Sequence, residues 1–255
     1  MTPESQPSVA VVIPAFNESA TIRDVVTRAL RHADRVIVVD DGSGDGTNAA
    51  LEGVPATVLR NPVNLGKAAS LRRGMVHALM DGATVVVTLD ADAQHEPEDI
   101  PRFVAAHLHH PRSIIVGARR RGTEGTPRAR YLANRFADFW IGWAAGYRMS
   151  DSQSGFRLYP ATLLCAIDIR NDKSQGFVFE SEVLINAARV GVESVAIGIS
   201  ALYPAGARLS HFRPVTDVLL ITRMVAWKLL SGGFNIPGLI RSRRSSDRAH
   251  QSHMA

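Results

Sequence analysis

Four short runs of β-branched and aliphatic residues constrain this chain more than anything else in it. They are VAVVIP (Val9–Pro14), RVIVVD (Arg35–Asp40), ATVLR (Ala56–Arg60) and ATVVVTLD (Ala83–Asp90). Each is nearly continuously apolar rather than alternating, which predicts strands buried on both faces, as in a parallel sheet. Helix-like stretches separate them at Ser19–His32, Asp45–Leu51, Leu65–Asp81 and Glu98–His107. This alternation, with short Gly, Asn and Asp turns, predicts an α/β fold: a Rossmann-like, doubly wound, mostly parallel sheet flanked by helices. RSIIVGAR (Arg112–Arg119) is a fifth predicted strand, and no internal repeat is found.

The second half is less regular. Pro127–Gly146 reads as a long helix rich in Arg and aromatic residues, and Asp151–Tyr159 as a loop leading into a short strand. Phe177–Gly191 reads as a helix closed by Gly191, a residue suited to the left-handed helix end. Val192–Ser200 is another strand, and Val215–Leu230 is a largely apolar helix interrupted by Arg223 and Lys228. The expected division is a disordered N-terminus at 1–8, one domain over 9–235 and a disordered basic tail at 241–255. Within the domain, a smaller half over 121–213 follows the half formed by 9–120.

The chain has 255 residues, 45% of them hydrophobic, enough for a sizeable core. Its one cysteine, Cys165, excludes an internal disulfide and fits a reducing, cytoplasmic compartment. The polar opening MTPESQPS lacks a signal-peptide pattern. No uncharged apolar run is long enough to cross a bilayer, which takes about 18 residues or more. The net charge of +5 hides an asymmetry: residues 1–100 hold 8 Lys/Arg against 14 Asp/Glu, and the remainder is strongly basic. A basic half suits an anionic partner. Nucleic acid is not expected, because neither aromatic stacking platforms nor a known binding module is present.

In sheets of this kind, ligands bind outside the carboxyl ends of the strands. Each of the first four strands ends in a polar cluster there: PAFNE, DDGSGDGT, NPVNLGKA and DADAQH. Asp90 and Asp92 are two apart, so in extended backbone they point the same way. Two such carboxylates repel unless a cation or proton lies between them. Hard oxygen ligands suit Mg²⁺ or Mn²⁺, often shared with substrate phosphates, and Gln94 offers an amide oxygen. A bland reading also exists, a solvated turn in which Asp92 or Glu96 caps the next helix. Asp40 and Asp41 can accept hydrogen bonds from a base or ribose, Pro14 and Ala15 open a turn with Asn17 and Glu18 as polar contacts, and Lys67 follows Gly66 near a helix start that suits phosphate. Neither a P-loop nor a dinucleotide fingerprint is present.

The ordered set VVIPAFNE, VIVVDDGSGDGT, NLGKAASLRRGM and LDADAQHEPEDI resembles family 2 glycosyltransferases of the GT-A fold, and within them the dolichyl-phosphate mannose synthase-like branch. The likeness is close over 9–120 and looser over 150–215. It implies a nucleotide-sugar donor, GDP- or UDP-linked, held by the first two motifs. It implies Mg²⁺ or Mn²⁺ and the diphosphate at Asp90 and Asp92, with Gln94 completing the D-A-D-x-Q form. The halves become a nucleotide-sugar half and an acceptor half. The reaction implied is mannosyl or glucosyl transfer to a polyprenyl phosphate with inversion.

Arginine suits bidentate phosphate recognition. In the resembling branch, arginines matching Arg119 and the region of Arg208 lie near the acceptor phosphate; Arg128 and Arg130 compete for a third position, assigned here to Arg130. Arg157 in SGFR adds to the basic set. A lipid phosphate is already an anion near neutral pH, so no strong base is required. A hydroxyl acceptor needs one, and Asp151 is then the candidate, weakened by Ser152 where relatives carry a second acid. Helix 215–231 is expected either to pack on the domain or to lie at a membrane interface, which implies peripheral contact with an inner membrane face. A non-catalytic nucleotide-sugar-binding module is the alternative of a different class.

Overall fold

The structure, a computed structural model, describes residues 6–119, 128–167, 169, 178–200, 214–231 and 233–244. Within them one seven-stranded sheet is formed by β1 (Val9–Ala15), β2 (Arg35–Asp40), β3 (Thr57–Arg60), β4 (Val85–Thr88), β5 (Ile114–Arg119), β6 (Arg157–Pro160) and β7 (Ser194–Ile199). The order is β3-β2-β1-β4-β6-β5-β7. The first four strands in space pair in parallel, and β7 pairs in parallel with β5. Only β6 runs against its neighbours, β4 and β5.

Side-chain alternation splits the apolar runs between two cores. Val12, Ile37, Val39 and Val86 face α2 (Lys67–Met80), α4 (Arg128–Ala145) and α6 (Val178–Arg189). Val11, Ile13, Val36, Val38 and Val87 face α1 (Ile22–Ala29) and α3 (Ile100–His109). That two-sided burial is why the strands read as continuous apolar runs. On α1, Ile22, Val25, Val26 and Ala29 are buried, the spacing of one helix face. On α2, Gly74 permits close approach to the sheet: a Cβ there would overlap Val12 and meet Val39 Cγ2 at 3.1 Å.

The remaining helices are α5 (Ala161–Ala166), α7 (Pro214–Ser231) and α8 (Ile236–Arg244), the last following a single 3₁₀ turn at Gly233–Asn235. α8 packs on α4, so the helical body reaches Arg244, beyond the boundary expected at 235. The start of the expected basic tail is thus helical, and 245–255 lie outside the described residues. The helix expected at Asp45–Leu51 is reduced to a 3₁₀ turn at Ala49–Leu51. Asp45 instead accepts hydrogen bonds from Thr47 N and Ser19 N, each at 3.0 Å, a local alternative to helical bonding. Gly46 takes φ 91°. No helix among the described residues is long and apolar enough to cross a membrane.

Candidate active site

The carboxyl-edge turns are tied into one surface by hydrogen bonds. After β1, Asn17 N donates to Ser43 Oγ (2.9 Å) and Asn17 Oδ1 accepts from Gly44 N (3.0 Å). Glu18 N donates to Thr47 Oγ1 at 2.9 Å. Pro14 and Ala15 end β1 in register with Val39 and Asp40. Thr21 Oγ1 donates to Ala91 O at 2.7 Å, joining the first turn to the fourth. Asn17 holds φ 58° and Ala93 φ 59°, left-handed values that side-chain-bearing residues adopt at a cost and that cluster at functional turns.

Asp40 and Asp41 work inward. Asp41 accepts from Asn61 Nδ2 (2.7 Å), Leu65 N (2.9 Å) and Gly66 N (2.8 Å). It therefore shapes the turn that delivers Lys67 to the first position of α2. Asp40 is fully buried, accepts from Ser43 N at 2.9 Å and pairs with Arg60 at 3.5 Å.

Lys67 is the hub of the site. Its Nζ lies 2.7 Å from Asp90 Oδ1 and 3.3 Å from Glu180 Oε1 in the first turn of α6. Burial works against both charges of the Asp90–Lys67 pair. The attraction outweighs it, so Asp90 is held below the ordinary carboxylate range and Lys67 above the ordinary amine range. Asp92 forms no such pair among the described residues, and the pull of Lys67 on it is outweighed. Burial first, and Asp90 second, push its carboxyl up to about 6. Its Oδ1 accepts from Gln94 N at 3.0 Å. One ammonium thus pairs with two carboxylates, Asp90 and Glu180, and the third, Asp92, has no ion pair among the described residues. That imbalance fits a divalent cation. No group of three His, Cys, Asp or Glu able to hold a metal exists among the described residues. Asp90, Asp92 and the Gln94 amide can therefore supply only part of a shell, as expected where substrate phosphates complete it.

Glu96, grouped with these acids by sequence, is turned away: it pairs with Arg28 on α1, as does Glu98. His95 is buried beside Phe156, ring centroids 5.5 Å apart. Burial lowers its pKa, which favours the neutral ring.

β6 supplies what sequence reasoning missed. Because it runs antiparallel, the loop before it arrives at the same edge as the ends of the parallel strands. Arg157 pairs with Thr88 in register, and Thr88 Oγ1 donates to Gly155 O at 2.7 Å. This holds Gly155 against the Asp90 carboxylate, where a Cβ would lie 2.6 Å from Oδ2. Arg157 itself, expected as part of the basic surface, is fully buried. Its guanidinium donates to Ser152 O (2.7 Å), Ser154 O (2.7 Å) and Glu180 O (2.6 Å). It is an internal clamp joining the loop to α6, because three converging carbonyls replace its water. The run SGFR was the available signal, but nothing in it distinguishes a buried arginine from a solvated one.

At the end of β5, Arg119 forms a two-pronged pair with Asp151: Nε to Oδ2 at 2.7 Å and Nη2 to Oδ1 at 2.6 Å. Arg119 N also donates to Asp151 Oδ2 at 3.0 Å. Asp151, at φ 53°, donates its own N–H to Asp138 of α4 at 3.3 Å. Burial would raise the Asp151 carboxyl, but the Arg119 bonds and charge reverse this and hold it low. Arg130 falls in the first turn of α4, with its side chain outside the described residues, and Arg208 lies outside them altogether. Chemically, the edge offers paired carboxylates for a cation, an ammonium for an anion, and a fixed guanidinium opposite.

Comparison with known proteins agrees with this geometry. Residues 10–163 match Glycosyl transferase family 2. The chain is 30% identical over 205 residues to undecaprenyl-phosphate mannosyltransferase of Micrococcus luteus, covering 75% of this chain and 82% of that one. It is 26% identical over 218 residues to UDP-N-acetylglucosamine–dolichyl-phosphate N-acetylglucosaminyltransferase of Methanococcus voltae (76% and 86% covered). Among solved structures, glucosyl-3-phosphoglycerate synthase of Mycobacterium tuberculosis superposes with TM-score 0.61 at 26% identity, covering 88% of this chain and 80% of that one. The same synthase has been crystallised with Mn²⁺, uridine diphosphate and phosphoglyceric acid (TM-score 0.61, 25% identity, 88% and 78% covered). The sheet order, the carboxylate pair at the end of β4 and a family match over most of the sheet have one reading: the chain is a GT-A-fold glycosyltransferase and belongs to glycosyl transferase family 2.

Proposed function

We propose that this chain transfers a sugar from a nucleotide-sugar to a polyprenyl phosphate, with inversion and with Mg²⁺ or Mn²⁺, from the cytoplasmic side of a membrane. The observation that carries the acceptor class is the Arg119–Asp151 pair. A carboxylate held low by a two-pronged arginine is a poor general base. A hydroxyl acceptor needs such a base; a phosphate monoester oxygen is already charged near neutral pH. The relatives named for lipid-phosphate acceptors support the same reading.

In this reading, Pro14, Ala15, Asn17, Glu18, Asp40 and Asp41 form the wall that seats the nucleotide. Asp90, Asp92 and Gln94 hold the metal, which when bound neutralises charge on the diphosphate. Lys67 moves its ammonium between Asp90 and the donor phosphates. Arg119, with Arg130 and Arg208, positions the acceptor phosphate. Its oxygen forms the new bond to the anomeric carbon while the bond to the nucleoside diphosphate breaks, and the leaving group departs as an anion with no proton moved. Positioning and charge stabilisation supply the catalysis.

The test is transfer from a panel of GDP- and UDP-sugars to a short-chain polyprenyl phosphate, with Mn²⁺ or with EDTA. Metal-dependent lipid product, lost in Asp92→Ala, is expected. Asp151→Asn should lower turnover without removing a limb of the pH–rate profile, since Asp151 holds Arg119 rather than a proton. Product on a hydroxyl acceptor such as phosphoglyceric acid, with none on lipid phosphate, would overturn the acceptor assignment. Nucleotide binding with no donor consumed would instead mark a binding module.

A further inference from the structure

Glu180 is an acid at the site that the sugar chemistry above does not use. It lies in the first turn of α6 and is only 5% exposed. Its Oε1 accepts no hydrogen bond among the described residues, and Lys67 Nζ stands 3.3 Å from it. A buried carboxylate oxygen without a hydrogen bond is uncommon, because nothing replaces its lost water. The same ammonium sits closely on Asp90, at 2.7 Å. Lys67 therefore has one tight contact and one loose one, and the loose one leaves acceptor capacity unused on Glu180.

The three groups differ in their freedom to move. Glu180 is fixed from behind: its carbonyl accepts Arg157 Nη1–H at 2.6 Å, and Phe179 and Ser181 on either side are fully buried. Asp90 is confined by Gly155, where a Cβ would lie 2.6 Å from Oδ2. Lys67 instead ends a flexible four-carbon stem at the first position of α2, so its ammonium can swing between the two acids. Once Asp90 and Asp92 share a divalent cation, an ammonium on Asp90 is repelled by it. The carboxylate within reach is Glu180.

We propose that Glu180 is a positioning residue for the transfer reaction: it takes over the Lys67 ammonium when Asp90 turns to the cation, and so keeps that charge beside the donor diphosphate. This rests on the donor and metal assignments under the proposed function and is independent of the acceptor. A role confined to the start of α6 accounts for less. An acid there gains from the helix dipole wherever its oxygens point, whereas Glu180 Oε1 is turned across to a side chain of α2.

The test is calorimetric binding of UDP and GDP in Mg²⁺ to the full chain, to Glu180→Gln and to Glu180→Asp, with thermal melts to separate lost binding from a weakened fold. Both variants should raise the nucleotide dissociation constant about tenfold. Aspartate keeps the charge but is one methylene too short to reach the ammonium. In a Lys67→Met background, Glu180→Gln should bring no further loss. A second measurement needs no lysine-free variant: the ¹⁵N resonance of the Lys67 ammonium, assigned with Lys67→Arg. On adding Mg²⁺ it should shift yet persist in the unaltered chain, and vanish through solvent exchange in Glu180→Gln. Tighter nucleotide binding by Glu180→Gln would reduce Glu180 to a like charge beside the diphosphate and overturn the proposal. So would wild-type binding by Glu180→Asp, or a Lys67 resonance indifferent to Mg²⁺. Absence of metal-dependent nucleotide binding in the unaltered chain would remove the donor site itself, and the proposed function with it.

Discussion

At the residue scale, the site turns on how little room and how little countercharge surround the two acids after β4. Gly155 is a positioning residue: its missing Cβ is the space in which the Asp90 carboxylate sits. Gly155→Ala is expected to raise the apparent Mn²⁺ dissociation constant about tenfold or more while lowering stability by about 1–3 kcal/mol. Calorimetric titration of Mn²⁺ with nucleotide, alongside thermal melts, checks both. A melt shift with unchanged metal affinity would reduce Gly155 to ordinary packing. Asp92 gives a pH dependence whose sign follows from its raised carboxyl, at about 6. The metal-free chain keeps a proton there below about pH 6, and a bound cation must displace it. In the metal-free fold, the stability linked to this group is present at low pH and lost as pH rises through about 6. The gain in melting temperature on adding Mn²⁺ and nucleotide should therefore grow between pH 5 and pH 7 and then level off. A gain that is flat across that window in wild type would contradict the assignment of Asp92 as a ligand.

At the element scale, α2 and β6 decide where the chemistry sits. α2 lies tight on β1 and β2 because Gly74 has no side chain to meet Val12 and Val39. Gly74→Ala improves intrinsic helix propensity by about 1 kcal/mol, yet it forces a methyl group into a filled interface, which typically costs about 1–3 kcal/mol. Net destabilisation in denaturant unfolding is the expected result, together with weaker nucleotide binding as the Lys67 end of the helix shifts. A stabilised variant would mean that the interface relaxes. The strands and most helices were legible because burial on both faces and helical periodicity are local patterns. The antiparallel course of β6 was not, since a four-residue strand carries no mark of its direction. Nor was the collapse of the helix at Asp45–Leu51, where Asp45 and Gly46 favour a turn that only its Ser19 partner completes.

At the scale of the whole molecule, the two halves meet in one sheet, with β6 inserted between β4 and β5. The cation seat draws on β4 and the loop before β6, and the ammonium beside it bridges to α6. A seat with two carboxylates and an amide is incomplete without donor oxygens. Metal and nucleoside diphosphate should therefore bind with positive coupling. Coupling between two ligands is commonly about 1–3 kcal/mol and is reciprocal. Thermal shifts with Mn²⁺ alone, UDP or GDP alone, and both together check this; strictly additive shifts would refute it.

The amino-acid sequence by itself determined the α/β architecture, the edge on which ligands collect and the acidic pair that marks it, because apolar periodicity and strand-end chemistry are written in consecutive residues. Only the tertiary structure decided which charged groups share that edge. Glu96 is drawn off to Arg28, Arg157 is sealed inside, Asp151 is bound to Arg119, and Glu180 joins Lys67 from a helix more than a hundred positions away. The charge state and use of an ionisable side chain depend on burial and on partners brought from elsewhere in the chain, and neither is visible until the chain has folded.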